Sequence, residues 1–126
     1  MELDQLKSLI SSHRNFPKQG IVFRDVLEIL QEQDIFKKLI KNMSSVDFLL
    51  KSDAIISIDA RGFIFGSAIS LYTSKPIIFA RKPGKLPGEL VSKSYNLEYG
   101  SNSLSIQKKF LEKYNSFAIV DDLVAT

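Results

Sequence analysis

The chain has 126 residues, 44% of them hydrophobic and 25% charged, which suits one compact domain and excludes a disordered tail, a collagen-like chain or a low-complexity linker. With no cysteine and a single histidine, it can build neither disulfides nor the usual thiolate or histidine metal sites. Seventeen Lys and Arg against 14 Asp and Glu leave a net charge of +3, enough to favour an anionic small ligand and too little to argue for a nucleic-acid partner.

Apolar residues at Leu3, Leu6, Leu9 and Ile10 predict a first helix ending near His13, which we expect as a solvated residue at that helix's C-terminus. The acidic Glu2 and Asp4 stand before any apolar run, so the start does not read as a signal peptide. Turn formers from Asn15 to Gly20 break the pattern, and the apolar Ile21-Val22-Phe23 leads into Arg24 and Asp25. Ile35, Phe36, Leu39, Ile40, Met43 and Val46 recur every three or four residues and predict an amphipathic helix, with Asp34 as its N-cap.

Ala54-Ile55-Ile56-Ser57-Ile58 predicts a buried strand, rich in β-branched residues and bounded by charge. Asp59-Ala60-Arg61-Gly62 is the turn at its end, and Phe63 to Tyr72 continues as an apolar helix. The longest uncharged stretch, Gly62 to Ser74, is 13 residues, which suits a buried helix and falls short of a bilayer span. Pro76 to Ala80 is a second strand, so strand, helix and strand form a βαβ unit with a parallel sheet. A loop with Pro83, Gly84, Pro87 and Gly88 follows, then weak hairpin-like alternation from Tyr95 to Ile106. Phe117 to Val120 is a third buried strand, ending in Asp121-Asp122.

In open parallel sheets, ligands bind beyond the carboxyl ends of the strands. Here those ends carry Asp59-Ala60-Arg61-Gly62, Arg81-Lys82-Pro83-Gly84-Lys85 and Asp121-Asp122. Any one of them is explained by a strand end facing water. Two cationic turns beside an acidic one describe a pocket for a ligand bearing phosphates and hydroxyls, because arginine and lysine clamp phosphate oxygens while carboxylates suit ribose hydroxyls or a hydrated magnesium ion. Two adjacent aspartates also repel one another and require a compensating cation or hydrogen bonds.

At this point the residues resemble a known family. Ile119 to Thr126, read Ile-Val-Asp-Asp-Leu-Val-Ala-Thr, is similar to the phosphoribosyl pyrophosphate signature of type I phosphoribosyltransferases, in the form found in the adenine phosphoribosyltransferase family. Phe16 to Asp25 resembles that family's N-terminal hood segment, Asp59 to Gly66 its pyrophosphate turn, Arg81 to Pro87 the basic strand end opening its flexible loop, and Tyr95 to Gly100 the loop's closing motif. The resemblance runs from about Phe16 to Thr126, five motifs in order.

It implies an α/β fold: a type I phosphoribosyltransferase-like parallel sheet flanked by helices, one domain over residues 1–126 with a hood and N-terminal helix over about 1–30 and a partial core over about 31–126. The family's glycine-rich remainder and its helix lie past the signature, so the fold is expected to be incomplete at its C-terminus. The implied reaction forms AMP and pyrophosphate from adenine and phosphoribosyl pyrophosphate with magnesium, in purine salvage, by a cytoplasmic homodimer that needs neither nucleic acid nor membrane. Val22 and Arg24 would present backbone groups to adenine. Arg61, Arg81, Lys82 and Lys85 would hold pyrophosphate, and Glu98 would shuttle the proton while Tyr99 packs over the closed loop. Asp121 and Asp122 would contact the ribose hydroxyls, and Ala125 and Thr126 would begin the 5′-phosphate cradle. No metal-ligating residue is implied, magnesium being held through pyrophosphate and water. Without the resemblance, Val22 reads as an ordinary buried residue, Arg24 as half of a surface ion pair with Asp25, and Glu98 as a surface carboxylate. The alternative is a truncated, non-catalytic nucleotide-binding remnant of the same fold.

Overall fold

The computed structural model describes residues 3–97 and 100–122. The chain falls into two compact units, Met1–Met43 and Ser44–Thr126.

In the first unit, α1 (Leu3–Lys7) is one short helix. Leu9 and Ile10 donate to the carbonyls of Leu6 and Lys7, three residues back, and these tight turns end it. The chain then enters β1 (Ser11–Arg14), which pairs antiparallel with β2 (Val22–Asp25). His13 therefore stands on a strand opposite Phe23, which corrects its expected place at a helix end; Ser11 Oγ is 3.3 Å from its Nε2. The helical spacing of Leu3 to Ile10 conceals this hairpin, because a strand partner some 14 residues away (Ser11↔Asp25) leaves no local trace. Asn15 adopts a left-handed φ of 57° in the connecting turn, and its side chain accepts the Gly20 N–H at 2.9 Å. Asp25 Oδ1 accepts the Leu27 N–H at 2.9 Å and opens a 3-10 helix over Leu27–Gln31.

The amphipathic helix forms as α2 (Gln33–Ser44), burying Ile35 and Ile40. It begins before Asp34, which sits in its first turn, where a carboxylate also favours the helix dipole. Val46 is not in it: extended backbone there opens a separate short helix, α3 (Asp47–Lys51).

In the second unit, β3 (Ala54–Ile58) lies between β4 (Ile77–Ala80) and β7 (Phe117–Val120), parallel to both. Its first four residues are all buried, as a central parallel strand covered on both faces requires. α4 (Gly62–Thr73) connects β3 to β4, which completes the expected βαβ unit. Gly66 lets this helix lie directly on the sheet: a Cβ there would stand 1.6 Å from Ser57 Oγ. Ser57, itself fully buried, donates its hydroxyl to the Gly62 carbonyl at 2.9 Å. Ala54, Ile56, Ile78 and Ala80 form a core packed by Leu104, Ile106 and Phe110.

The weak alternation after Tyr95 becomes a full antiparallel hairpin, β5 (Leu90–Leu97) against β6 (Gly100–Gln107), longer at both ends than the sequence indicates. A four-residue helix, α5 (Lys108–Leu111), follows.

Candidate functional site

The parallel sheet brings the turn after β3, the start of the segment after β4 and the acidic pair after β7 to one edge. Because β3 is central, its turn Asp59-Ala60-Arg61-Gly62 reaches both neighbours. Arg61 Nε lies 2.8 Å from Asp122 Oδ2, so the acidic pair has the cation that its charge requires. On the other side, Asp59 Oδ2 lies 3.4 Å from Arg81 Nε and accepts the Lys82 N–H at 3.3 Å. The Asp59–Ala60 peptide bond is cis.

Gly62 fits where a side chain would not. A Cβ there would meet Asp121 Oδ1 and the Val120 carbonyl oxygen, each at 3.0 Å. The absent side chain lets the carboxylate lie against the turn. Asp122 N–H donates to Asp121 Oδ1 at 2.8 Å. Burial, reinforced by the Asp122 side chain, pushes the Asp121 carboxyl up to about 6, against the pull of Asp122 N–H and Arg61.

Arg61, Arg81, Lys82, Asp121 and Asp122 thus share one edge. Lys82 and Lys85 are exposed, and Gly84 beside Lys85 has a left-handed φ of 79° that a side chain rarely adopts. Asp59, whose carboxylate has no role in the reading of the sequence, holds two of the site's groups. Its proximity to Arg81 was signalled only by the βαβ crossover that folds position 81 back beside position 59.

Val22 and Arg24 lie on β2 in the other unit. Val22 is 50% exposed, unlike the ordinary buried residue that it reads as without the resemblance, and among the described residues its backbone belongs to a sheet of two strands. Arg24 and Asp25 face opposite ways as strand neighbours do: Arg24 Nη1 donates to Ser12 Oγ, while Asp25 takes the Leu27 N–H. A cavity of about 390 Å³ opens beside this hairpin, lined by His13, Asp25 and the pair Phe16 and Phe23, which stand in edge-to-face contact. A cavity of about 440 Å³ near Gly88, Gln107 and Lys109 contains none of the candidate residues. Glu98, Tyr99, Ala125 and Thr126 lie outside the described residues.

Among the described residues, no group of three or more His, Cys, Asp or Glu side chains gathers to hold a metal ion, and no helix is long and apolar enough to cross a membrane. The donor set at the sheet edge is one aspartate pair facing an arginine, which fits a hydrated magnesium ion brought in on a phosphorylated substrate better than a protein-built cage.

A scan against protein-family models returns no match. The chain is 67% identical over 123 residues to an adenine phosphoribosyltransferase of Prochlorococcus marinus (strain MIT 9515), covering 98% of this chain and 72% of that protein. Among solved structures, the adenine phosphoribosyltransferase of Thermoanaerobacter pseudethanolicus superposes with a TM-score of 0.78 at 37% identity, over 85% of this chain and 62% of that one. The Saccharomyces cerevisiae adenine phosphoribosyltransferase, complexed with an imino-altritol bisphosphate and adenine, gives 0.70 at 35% identity, over 83% and 62%. The chain therefore spans about three-fifths of the length of these solved structures.

Proposed function

Because the chain belongs to the adenine phosphoribosyltransferase family, we propose that the protein joins adenine to phosphoribosyl pyrophosphate, giving AMP and pyrophosphate in purine salvage. The observation that carries this reading is the charge arrangement at the sheet edge, where Arg81, Arg61 and the Asp121–Asp122 pair stand in that order at the ends of the parallel strands β4, β3 and β7.

In this reading, adenine N9 forms a bond to ribose C1′ as the bond from C1′ to the pyrophosphate oxygen breaks. Arg61, Arg81, Lys82 and Lys85 take up the charge that grows on the departing pyrophosphate. Asp121 and Asp122 hold the ribose hydroxyls, which orients C1′ toward the base. For Asp122 to do so, the ligand must draw Arg61 away from it, and pyrophosphate oxygens offer that arginine a stronger partner. Val22 and Arg24 read the adenine edge through one N–H and one C=O, and Glu98 receives the proton that the purine loses on N9 attack. Tyr99 packs over the closed site and excludes water from the electron-poor ribosyl centre. Ala125 and Thr126 begin the 5′-phosphate cradle. Magnesium, when bound to the pyrophosphate, neutralises part of its charge.

The same reading makes the protein a cytoplasmic homodimer with small-molecule substrates. Incubating the purified protein with labelled adenine, phosphoribosyl pyrophosphate and magnesium tests it. Labelled AMP is the expected product, and its absence would overturn the catalytic reading.

A further inference from the structure

The Asp59 carboxylate has no part in the chemistry above, yet its place is tightly specified. The side chain is 8% exposed, although it ends a strand at the open edge of the sheet. Its Oδ2 meets Arg81 Nε at 3.4 Å and the Lys82 N–H at 3.3 Å, and its own N–H donates to the Ala80 carbonyl at 3.0 Å. Three successive residues at the end of β4 are therefore tied to one aspartate at the end of β3.

Arg81 is fastened from two further directions. Its N–H donates to the Ser105 carbonyl at 2.9 Å and its carbonyl accepts the Ser105 N–H at 2.8 Å. Its guanidinium carbon stands 5.8 Å from the centre of the Phe63 ring. A guanidinium is a planar fork, so fixing Nε fixes the plane in which the two terminal amino groups point. Contact through Nε leaves that terminal pair for a bidentate partner such as two phosphate oxygens.

We propose that Asp59 is a positioning residue for the anion site, acting through Arg81: it sets the guanidinium plane and, through the Lys82 N–H, the course of the cationic segment. This inference rests on the reading of the sheet edge as a pyrophosphate site. It assigns no contact with substrate to Asp59 itself.

The test is a mutant cycle read by calorimetric titration of the purified protein with inorganic pyrophosphate and magnesium. Asp59→Asn should bind about tenfold more weakly, the scale of losing a charge-assisted hydrogen bond. If Asp59 acts through Arg81, the double variant Asp59→Asn/Arg81→Gln binds no more weakly than Arg81→Gln alone. Arg81→Lys, which keeps the charge and loses the fork, should match Asp59→Asn. Additive losses, or wild-type affinity in a folded Asp59→Asn, would overturn the proposal. Should Asp59→Asn fail to fold, Arg81→Lys decides, and wild-type affinity there overturns it equally. AMP formation by the wild type together with an additive cycle sinks this inference alone. A non-additive cycle without AMP formation sinks the catalytic reading and leaves this inference standing.

Discussion

Arg61 Nε and Asp122 Oδ2 stand 2.8 Å apart, joining the end of the central strand to the end of its neighbour β7. The Asp122 side chain is 8% exposed and that of Arg61 26%, so the carboxylate is desolvated and depends on this cation. Arg61→Ala should lower the unfolding free energy by about 1–3 kcal/mol, the cost of stranding a buried charged acceptor. Adding Asp122→Asn should recover part of that loss. Urea unfolding of the two single variants and the double checks it, and strictly additive losses would contradict the pairing.

Asp121 gives a pH signature. Its folded pKa, about 6, lies above the ordinary value of 3.8, chiefly because burial penalises the charged form. The folded state therefore holds this proton more tightly than the unfolded chain does. The stabilisation is complete below about pH 4 and is lost as pH rises through about 6. Asp121→Asn does not titrate, so the wild type should lose stability relative to this variant across that window. Denaturant titrations of both proteins from about pH 4 to about pH 7 read the difference, and a constant gap would refute it.

Gly66 tests how α4 meets the sheet. A Cβ at this position would lie 1.6 Å from Ser57 Oγ and 2.8 Å from Ser57 Cβ. Gly66→Ala should destabilise by about 2–4 kcal/mol, despite alanine's better helix propensity, because helix and strand must separate. Combining it with Ser57→Gly removes both obstructing atoms and should restore part of the loss. Thermal unfolding compares the three variants.

The proton shuttle proposed for Glu98 predicts a kinetic split. Glu98→Gln should lower kcat by about a hundredfold and leave the KM for phosphoribosyl pyrophosphate within about twofold, since proton transfer and pyrophosphate binding are separate events. Steady-state assays measure both constants. A change confined to KM would remove Glu98 from the proton-transfer step.

The second unit was the more legible in the sequence. The β-branched run of β3 and the uncharged stretch of α4 are local signals, and the helix-strand period reports them directly. The first unit misled at His13, where helical spacing continues through Ile10 although backbone turns have already ended α1. Besides the hairpin of β1 and β2, the elements that went unseen are α3, α5 and the 3-10 helix, each too short for a period to emerge. At the site, the charged strand ends could be read as a group, but the pairing within it could not. Which cation meets which carboxylate depends on the strand order β4-β3-β7, and nothing local to Asp59 or Asp122 records that order.

The charges of the central turn match that strand order once it has formed. Asp59 reaches Arg81 beyond β4, and Arg61 reaches Asp122 beyond β7, from positions two residues apart. Exchanging the two side chains would set cation against cation on one flank and carboxylate against carboxylate on the other. The same repulsions would arise if β4 and β7 traded sides. A turn of four residues thus favours the observed arrangement of its neighbours and opposes the mirror-ordered one.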